Sequence, residues 1–198
     1  MGLVLGSSSP RRREMLDLVG VPYTACTPPF DERAFVHEGE LEALVKLLAE
    51  EKCASLVGDF PEDVILCADT LVIYDGKHYG KPEDEQEAFS MLKTLAGQTH
   101  QVITGVAVRR GDEVLSELES TSVTLKSMSN EQIRIFHQAI HPFDKAGSYA
   151  IQGLGALIVE RIEGNYDNVL GLPMQTCASL LMEMGINLWD FITLRFSA

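Results

Sequence analysis

Leu3-Val4-Leu5-Gly6-Ser7-Ser8-Ser9-Pro10-Arg11-Arg12-Arg13 is the stretch that decides the fold class. The apolar run reads as a short buried strand. Pro10 suits the first turn of a helix, since its φ is already helical and its missing N–H would have no partner there. Ser9 stands at the N-cap. Met15, Leu16, Leu18 and Val19 supply a buried stripe, and Gly20 closes the helix. A strand that turns straight into a helix presents free backbone N–H groups and the positive end of the helix dipole, which favour an anion. Serine hydroxyls add donors, and the arginines add charge and fork-shaped hydrogen bonding to phosphate oxygens. The competing reading is a solvated helix face, but bases in a first turn oppose the dipole at about 0.3–1 kcal/mol per charge.

Outward from this start, the pattern alternates. Val21–Cys26 reads as a second strand, and Glu40–Val57 carries Leu41, Leu44, Val45, Leu48 and Leu56 at helical spacing. Val64-Ile65-Leu66-Cys67-Ala68 is continuously apolar, as expected of a strand covered on both faces. Asp75-Gly76 signals a hairpin turn, and a helix is expected from about Asp84 to Leu95. Gln101–Arg109 and Val114–Leu125 flank Gly111-Asp112 as a long antiparallel hairpin. Ser129 caps a helix reaching Ile140, with Glu131 and Gln132 in its first turn. Ala156–Arg161 reads as a strand, and Pro173 opens a last helix. The expectation is a single α/β (α+β) domain over residues 1–198, built on a mixed sheet.

Composition narrows the function. The chain has 198 residues, 45% of them apolar, and 29 acids against 16 bases give a net charge of −13. Such a surface repels nucleic acid, though bases gathered in one place can still hold a small anion. No apolar run approaches the ~20 residues of a membrane span, and no signal peptide is read at the start. Cys26, Cys53, Cys67 and Cys177 form no C-x-x-C pair, so reduced thiols are expected. A soluble, cytoplasmic protein without nucleic-acid or membrane partners follows as the expectation.

Several residues carry chemistry. Asp69 ends the apolar strand, where ligand sites of α/β proteins lie. It is either a turn-capping acid or a group that ligates magnesium or takes a proton from water. Read alone, Lys52 and Lys81 are surface lysines and Glu32, beside Asp31, a solvated loop acid. Asp144-Lys145-Ala146-Gly147 and Ile151-Gln152-Gly153-Leu154-Gly155 form a polar, glycine-rich stretch. His137 and His141 lack the glutamate of a zinc motif and read as surface histidines, and His37, His78 and His100 are isolated.

Taken together, these segments resemble the Maf family. Leu5-Gly6-Ser7-Ser8-Ser9-Pro10-Arg11-Arg12 is similar to its signature, L-A-S-x-S-P-R-R. Asp31-Glu32, Ala49-Glu50-Glu51-Lys52, Ala68-Asp69-Thr70, Gly80-Lys81-Pro82, Gly97-Gln98-Thr99-His100-Gln101-Val102, Asp144-Lys145-Ala146-Gly147-Ser148-Tyr149, Ile151-Gln152-Gly153 and Val169-Leu170-Gly171-Leu172-Pro173 follow in order. The resemblance implies an ITPase-like fold with two lobes around a cleft, and hydrolysis of a nucleoside triphosphate to monophosphate and pyrophosphate with a divalent cation, Mg²⁺ or Mn²⁺. It implies Asp69 as the catalytic carboxylate and Ser9, Arg11, Arg12, Lys52, Lys81 and Lys145 around the phosphates. Glu32 would join Asp69 at the metal. The forms of the later segments resemble the subgroup acting on dTTP and UTP, with Arg11, Thr70 and Gln152 at the specificity positions. The alternatives are the subgroup acting on 7-methyl-GTP and a nucleotide-binding regulator of cell division; a homodimer is also implied. Two departures stand out: Gly6 replaces the usual alanine, and Cys67 stands where glycine is common.

Overall fold

The computed structural model describes residues 1–31 and 39–192. Among them, seven strands, β1 (Leu3–Gly6), β2 (Tyr23–Cys26), β3 (Val64–Tyr74), β4 (Lys77–Tyr79), β5 (Thr99–Arg110), β6 (Glu113–Leu125) and β7 (Val159–Glu163), form one mixed sheet in the order β2-β1-β3-β5-β6-β7, with β4 paired on β3. The backbone divides into two compact units: Met1–Asp69, Thr104–Glu119 and Gly171–Ala198 make the first, Thr70–Ile103 and Ser120–Leu170 the second. No helix among the described residues is long and apolar enough to cross a membrane.

The first unit begins with β1 (Leu3–Gly6), α1 (Pro10–Val19), β2 (Tyr23–Cys26) and α2 (Leu41–Ala54), and takes in the start of β3 (Val64–Tyr74). β1 lies between β2 and β3, parallel to both, with Leu3 opposite Val64 and Gly6 opposite Cys67. Alternate residues of a pleated strand face opposite ways. Leu3, Leu5, Leu66 and Ala68 accordingly join one cluster with Leu16 and Leu181, while Val4, Ile65 and Cys67 join another with Ala49 and Cys53. Helix α1 and the last helix, α6 (Met174–Glu183), therefore pack on one face and α2 on the other. The expected stripe of α1 is narrower than its spacing suggested: Leu16 is fully buried, but Leu18 is 73% exposed. At Gly105 an added Cβ would lie 2.4 Å from the Val45 carbonyl oxygen, so the glycine admits the backbone of α2.

The second unit continues β3 into β4 (Lys77–Tyr79) through Asp75 and Gly76, both at positive φ, 52° and 71°. This is the primed turn the Asp-Gly pair predicts. Helix α3 (Glu85–Leu95) is capped by Asp84, whose carboxylate accepts from the Glu87 N–H. Strands β5 (Thr99–Arg110) and β6 (Glu113–Leu125) join through Gly111-Asp112, and Thr99–Thr124 and Gln101–Ser122 side-chain bonds fix their antiparallel register. Ser129 and Gln132 form a capping box for α4 (Asn130–Ile140). The expected strand at Ala156–Arg161 starts later, as β7 (Val159–Glu163), after a 3₁₀ turn over Gly153–Leu157. The reason is Gly155, which donates its N–H to the Gln152 carbonyl and packs so tightly that a Cβ would sit 2.2 Å from the Ala150 oxygen. A short helix, α5 (Tyr166–Leu170), ends the unit. Its core gathers Val72, Leu92, Val102, Val123, Ile133 and Phe136.

Gly105→Ala should lower stability by about 1–3 kcal/mol, because the clash is with backbone that cannot rotate away. Gly58, which has open space around it, serves as the control: Gly58→Ala should stay within about 0.5 kcal/mol in the same urea titration.

Candidate active site

β1 ends beside the middle of β3, with Gly6 opposite Cys67, so Ser7, just past the end of β1, and Asp69 come close together in the first unit, next to the N-terminus of α1. Asp69 does not end its strand as expected: β3 runs on to Tyr74. Asp69 is 6% exposed and Lys52 likewise 6%, and the Lys52 ammonium donates to Asp69 Oδ1 at 2.5 Å. Lys52 is thus no surface lysine. It sits in the last turn of α2 between the buried Ala49 and Cys53.

Arg12 completes the frame. Its Nε donates to the Gly171 carbonyl at 2.7 Å, and its Nη1 donates to the Ala68 carbonyl at 2.7 Å and to Ser7 Oγ at 3.4 Å. The peptide before Asp69 is therefore tied to α1 by a guanidinium. Ser7, 4% exposed, accepts the Ser9 N–H on its Oγ at 3.1 Å. Ser9 occupies the expected N-cap position but makes no side-chain cap bond; its hydroxyl is not spent on the helix. Arg11 is half-buried on the same turn, and no acid stands in that turn to oppose the bases.

Packing explains the two departures from the Maf signature. An alanine Cβ at Gly6 would lie 2.4 Å from Cys67 Sγ and 2.8 Å from Leu56 Cδ1. Gly6 and Cys67 are register partners, so the glycine vacates the space that the thiol fills. All four cysteines are free, with Cys53, Cys67 and Cys177 buried. Burial pushes the Cys53 thiol well up, which keeps it protonated and unreactive.

The other sequence-predicted residues lie in the second unit or outside the described residues. Thr70 follows Asp69 in β3 and is half-buried; Lys81 and Gln152 are exposed. The Lys145 ammonium is held by the His141 carbonyl at the end of α4 and by the Asp144 carboxylate. Glu32 lies outside the described residues, and Asp31 is exposed. Among the described residues no three His, Cys, Asp or Glu side chains cluster to hold a metal ion.

Sequence reasoning missed two histidine pairs here. His100 is 2% exposed, with Nε2 2.7 Å from the Tyr149 hydroxyl, and its Nδ1 has no partner. His137 is half-buried, with Nε2 2.9 Å from Ser148 Oγ. Burial lowers both imidazoles, His100 to about 4, and raises the Tyr149 hydroxyl. Neither histidine had a local signal, because each partner is distant in the chain.

A carboxylate and an ammonium buried together just past the carboxyl end of β1, beside a basic helix N-terminus, mark an α/β protein with its polar groups where ligand sites of that class lie. The chain belongs to the Maf family: the model for "Maf-like protein" matches residues 2–184. It is 44% identical over 191 residues to the dTTP/UTP pyrophosphatase of Chlamydia felis (strain Fe/C-56), covering 96% of this chain and 97% of that one. It is 44% identical over 183 residues to the dTTP/UTP pyrophosphatase of Symbiobacterium thermophilum, with coverages of 92% and 94%. Among solved structures, the Staphylococcus aureus Ham1 protein aligns over 93% of this chain and 97% of its own at 11% identity, with a TM-score of 0.47.

Two measurements test this description. Lys52→Met strands the Asp69 carboxylate and should cost about 3–5 kcal/mol, while the double variant Lys52→Met/Asp69→Leu should recover most of that loss. The second concerns acid. His100 is neutral in the fold near pH 5, whereas the unfolded chain protonates it below 6.5. The unfolded state then binds more protons, so stability should fall by about 3 kcal/mol as pH drops from 6.5 to 4. His100→Phe should flatten that part of the denaturation profile.

Proposed function

We propose that this chain is a cytoplasmic nucleoside-triphosphate pyrophosphatase acting on dTTP and UTP. The observation that carries the reading is the buried Lys52–Asp69 pair on β3, just past the carboxyl end of β1. It joins the near-full-length likeness to proteins named for that activity.

Water attacks the α-phosphorus, the bond from that phosphorus to the bridging α–β oxygen breaks, and pyrophosphate leaves. Asp69 accepts the proton of the attacking water through the oxygen that Lys52 does not engage. Lys52 holds the carboxylate in one rotamer and offers its charge to the phosphates. Arg11, Ser9 and the positive end of the α1 dipole neutralise the chain of phosphates, with Lys81 and Lys145 as further cations. Lys145 would first have to leave Asp144. Arg12, tied to two carbonyls, keeps the β3 backbone at Ala68 in place. Thr70 and Gln152 read the pyrimidine, since an amide offers both a donor and an acceptor.

A divalent cation fits this donor set. Mg²⁺ binds through one or two carboxylates and substrate phosphates rather than an all-protein cage, and Asp69, with Glu32, supplies such carboxylates. When bound, it would withdraw charge from the phosphates and lower the pKa of the attacking water.

Purified protein with Mg²⁺ should release pyrophosphate and monophosphate from dTTP and UTP, and EDTA should abolish the release. Preference for 7-methyl-GTP in the same panel would overturn the pyrimidine assignment. Asp69→Asn keeps an oxygen for the Lys52 ammonium but loses the base, so kcat should fall by at least about 10²-fold. Undiminished turnover would remove Asp69 from the chemistry.

A further inference from the structure

Residues 147–155 of the second unit are built in a way that core packing alone does not require. Gly147 and Ser148 both adopt left-handed backbone, φ 68° and 65°. The reversal turns successive side chains inward, so Ser148 is 0% and Tyr149 5% exposed. Each ends on a histidine from a different element. Ser148 Oγ donates to the Ala88 carbonyl of α3 at 2.9 Å. The His137 Nε2–H of α4 then donates to Ser148, lying 2.9 Å from the hydroxyl and 3.0 Å from the carbonyl. The Tyr149 hydroxyl meets His100 of β5 at 2.7 Å, with the two rings edge to face.

Fixation continues on either side. The Gly147 N–H donates to the Gly80 carbonyl at 3.1 Å, Ile151 is buried, and the Gln152 carbonyl accepts the Gly155 N–H at 3.0 Å. Between these ties only the Gln152–Leu154 segment is exposed. Buried polar pairs specify one geometry, since a shifted partner leaves an unsatisfied group. Apolar side chains would fill the same space while tolerating several arrangements. A left-handed serine also carries backbone strain that other interactions must offset.

We propose that Ser148 and Tyr149, held by His137 and His100, are positioning residues that set where Gln152 meets the base of the nucleotide. This rests on the pyrophosphatase reading above. Base discrimination is then built into the unliganded protein rather than assembled on binding.

The test compares kcat/KM for UTP and GTP in Tyr149→Phe, Ser148→Gly and Gln152→Ala, and in the two doubles with Gln152→Ala. Tyr149→Phe removes only the hydroxyl, and Ser148→Gly removes the anchor while suiting the left-handed backbone. Each should lower the UTP/GTP ratio about 2- to 12-fold, the worth of one net hydrogen bond. Neither should lower it further once Gln152 is alanine. An unchanged ratio, or the same loss in the Gln152→Ala background, would overturn the proposal. Amide exchange over residues 150–157 without nucleotide gives a readout independent of turnover. It should quicken in both variants, and unaltered exchange would equally sink the idea. Should the unmodified protein release no pyrophosphate, the activity assignment fails, while the exchange result still decides the anchoring.

Discussion

Burying an ammonium and a carboxylate together is a poor way to stabilise a protein. The desolvation of Lys52 and Asp69 is repaid only if their geometry is good, and an apolar pair of like volume would serve as well or better. The pair therefore constrains everything near it. Asp69 must be held within β3 by neighbours that are buried, and Lys52 must arrive on the face of α2 that carries Val45, Leu48 and Ala49. Arg12 restrains the peptide at Ala68. Three charged side chains from three elements thus meet at one stretch of β3, Arg12 on the Ala68 carbonyl and Lys52 on the Asp69 carboxylate. Fixed charge in a water-poor site acts on developing charge without reorganisation cost.

Packing beneath that frame leaves little tolerance. Val4, Ile65, Cys67, Ala49 and Leu56 fill the space under α2, and Gly6 yields to Cys67. The two departures from the family signature are thus one exchange of volume across a pair of register partners. Seen one at a time in the sequence, each looked like an independent and harmless drift. Close packing makes them dependent, since interiors have few voids larger than a methyl group.

Much of this was legible in the sequence where the signal is local. The strand–turn–helix start, the Asp75-Gly76 hairpin, the Ser129 capping box and the doubly covered run of β3 each follow from neighbours a few residues apart. The failures have a common cause. Leu18 carries the right spacing for burial, but only tertiary contact decides how wide the covered stripe of α1 is. Ala156 and Leu157 are expected in a strand, while the close packing of Gly155 on Ala150 folds Gly153–Leu157 into a 3₁₀ turn. Lys52, read alone, is a surface residue because the carboxylate that draws it inward is 17 positions away. His100 and Tyr149 are 49 apart, and neither residue announces the other. For the site, residue type was readable early; burial and partnership were not.

The two units use different chemistry. In the first, charged groups hold the geometry, Lys52 on the Asp69 carboxylate and Arg12 on the Ala68 carbonyl. In the second, the side chains anchoring the Gln152 segment are hydroxyls and imidazoles, and burial keeps His100 uncharged down to about pH 4. A neutral network holds its geometry across physiological pH, whereas a titrating one would shift the segment as it gained a proton. Discrimination between bases rests on directional hydrogen bonds, which lose their value when donors move by tenths of an ångström.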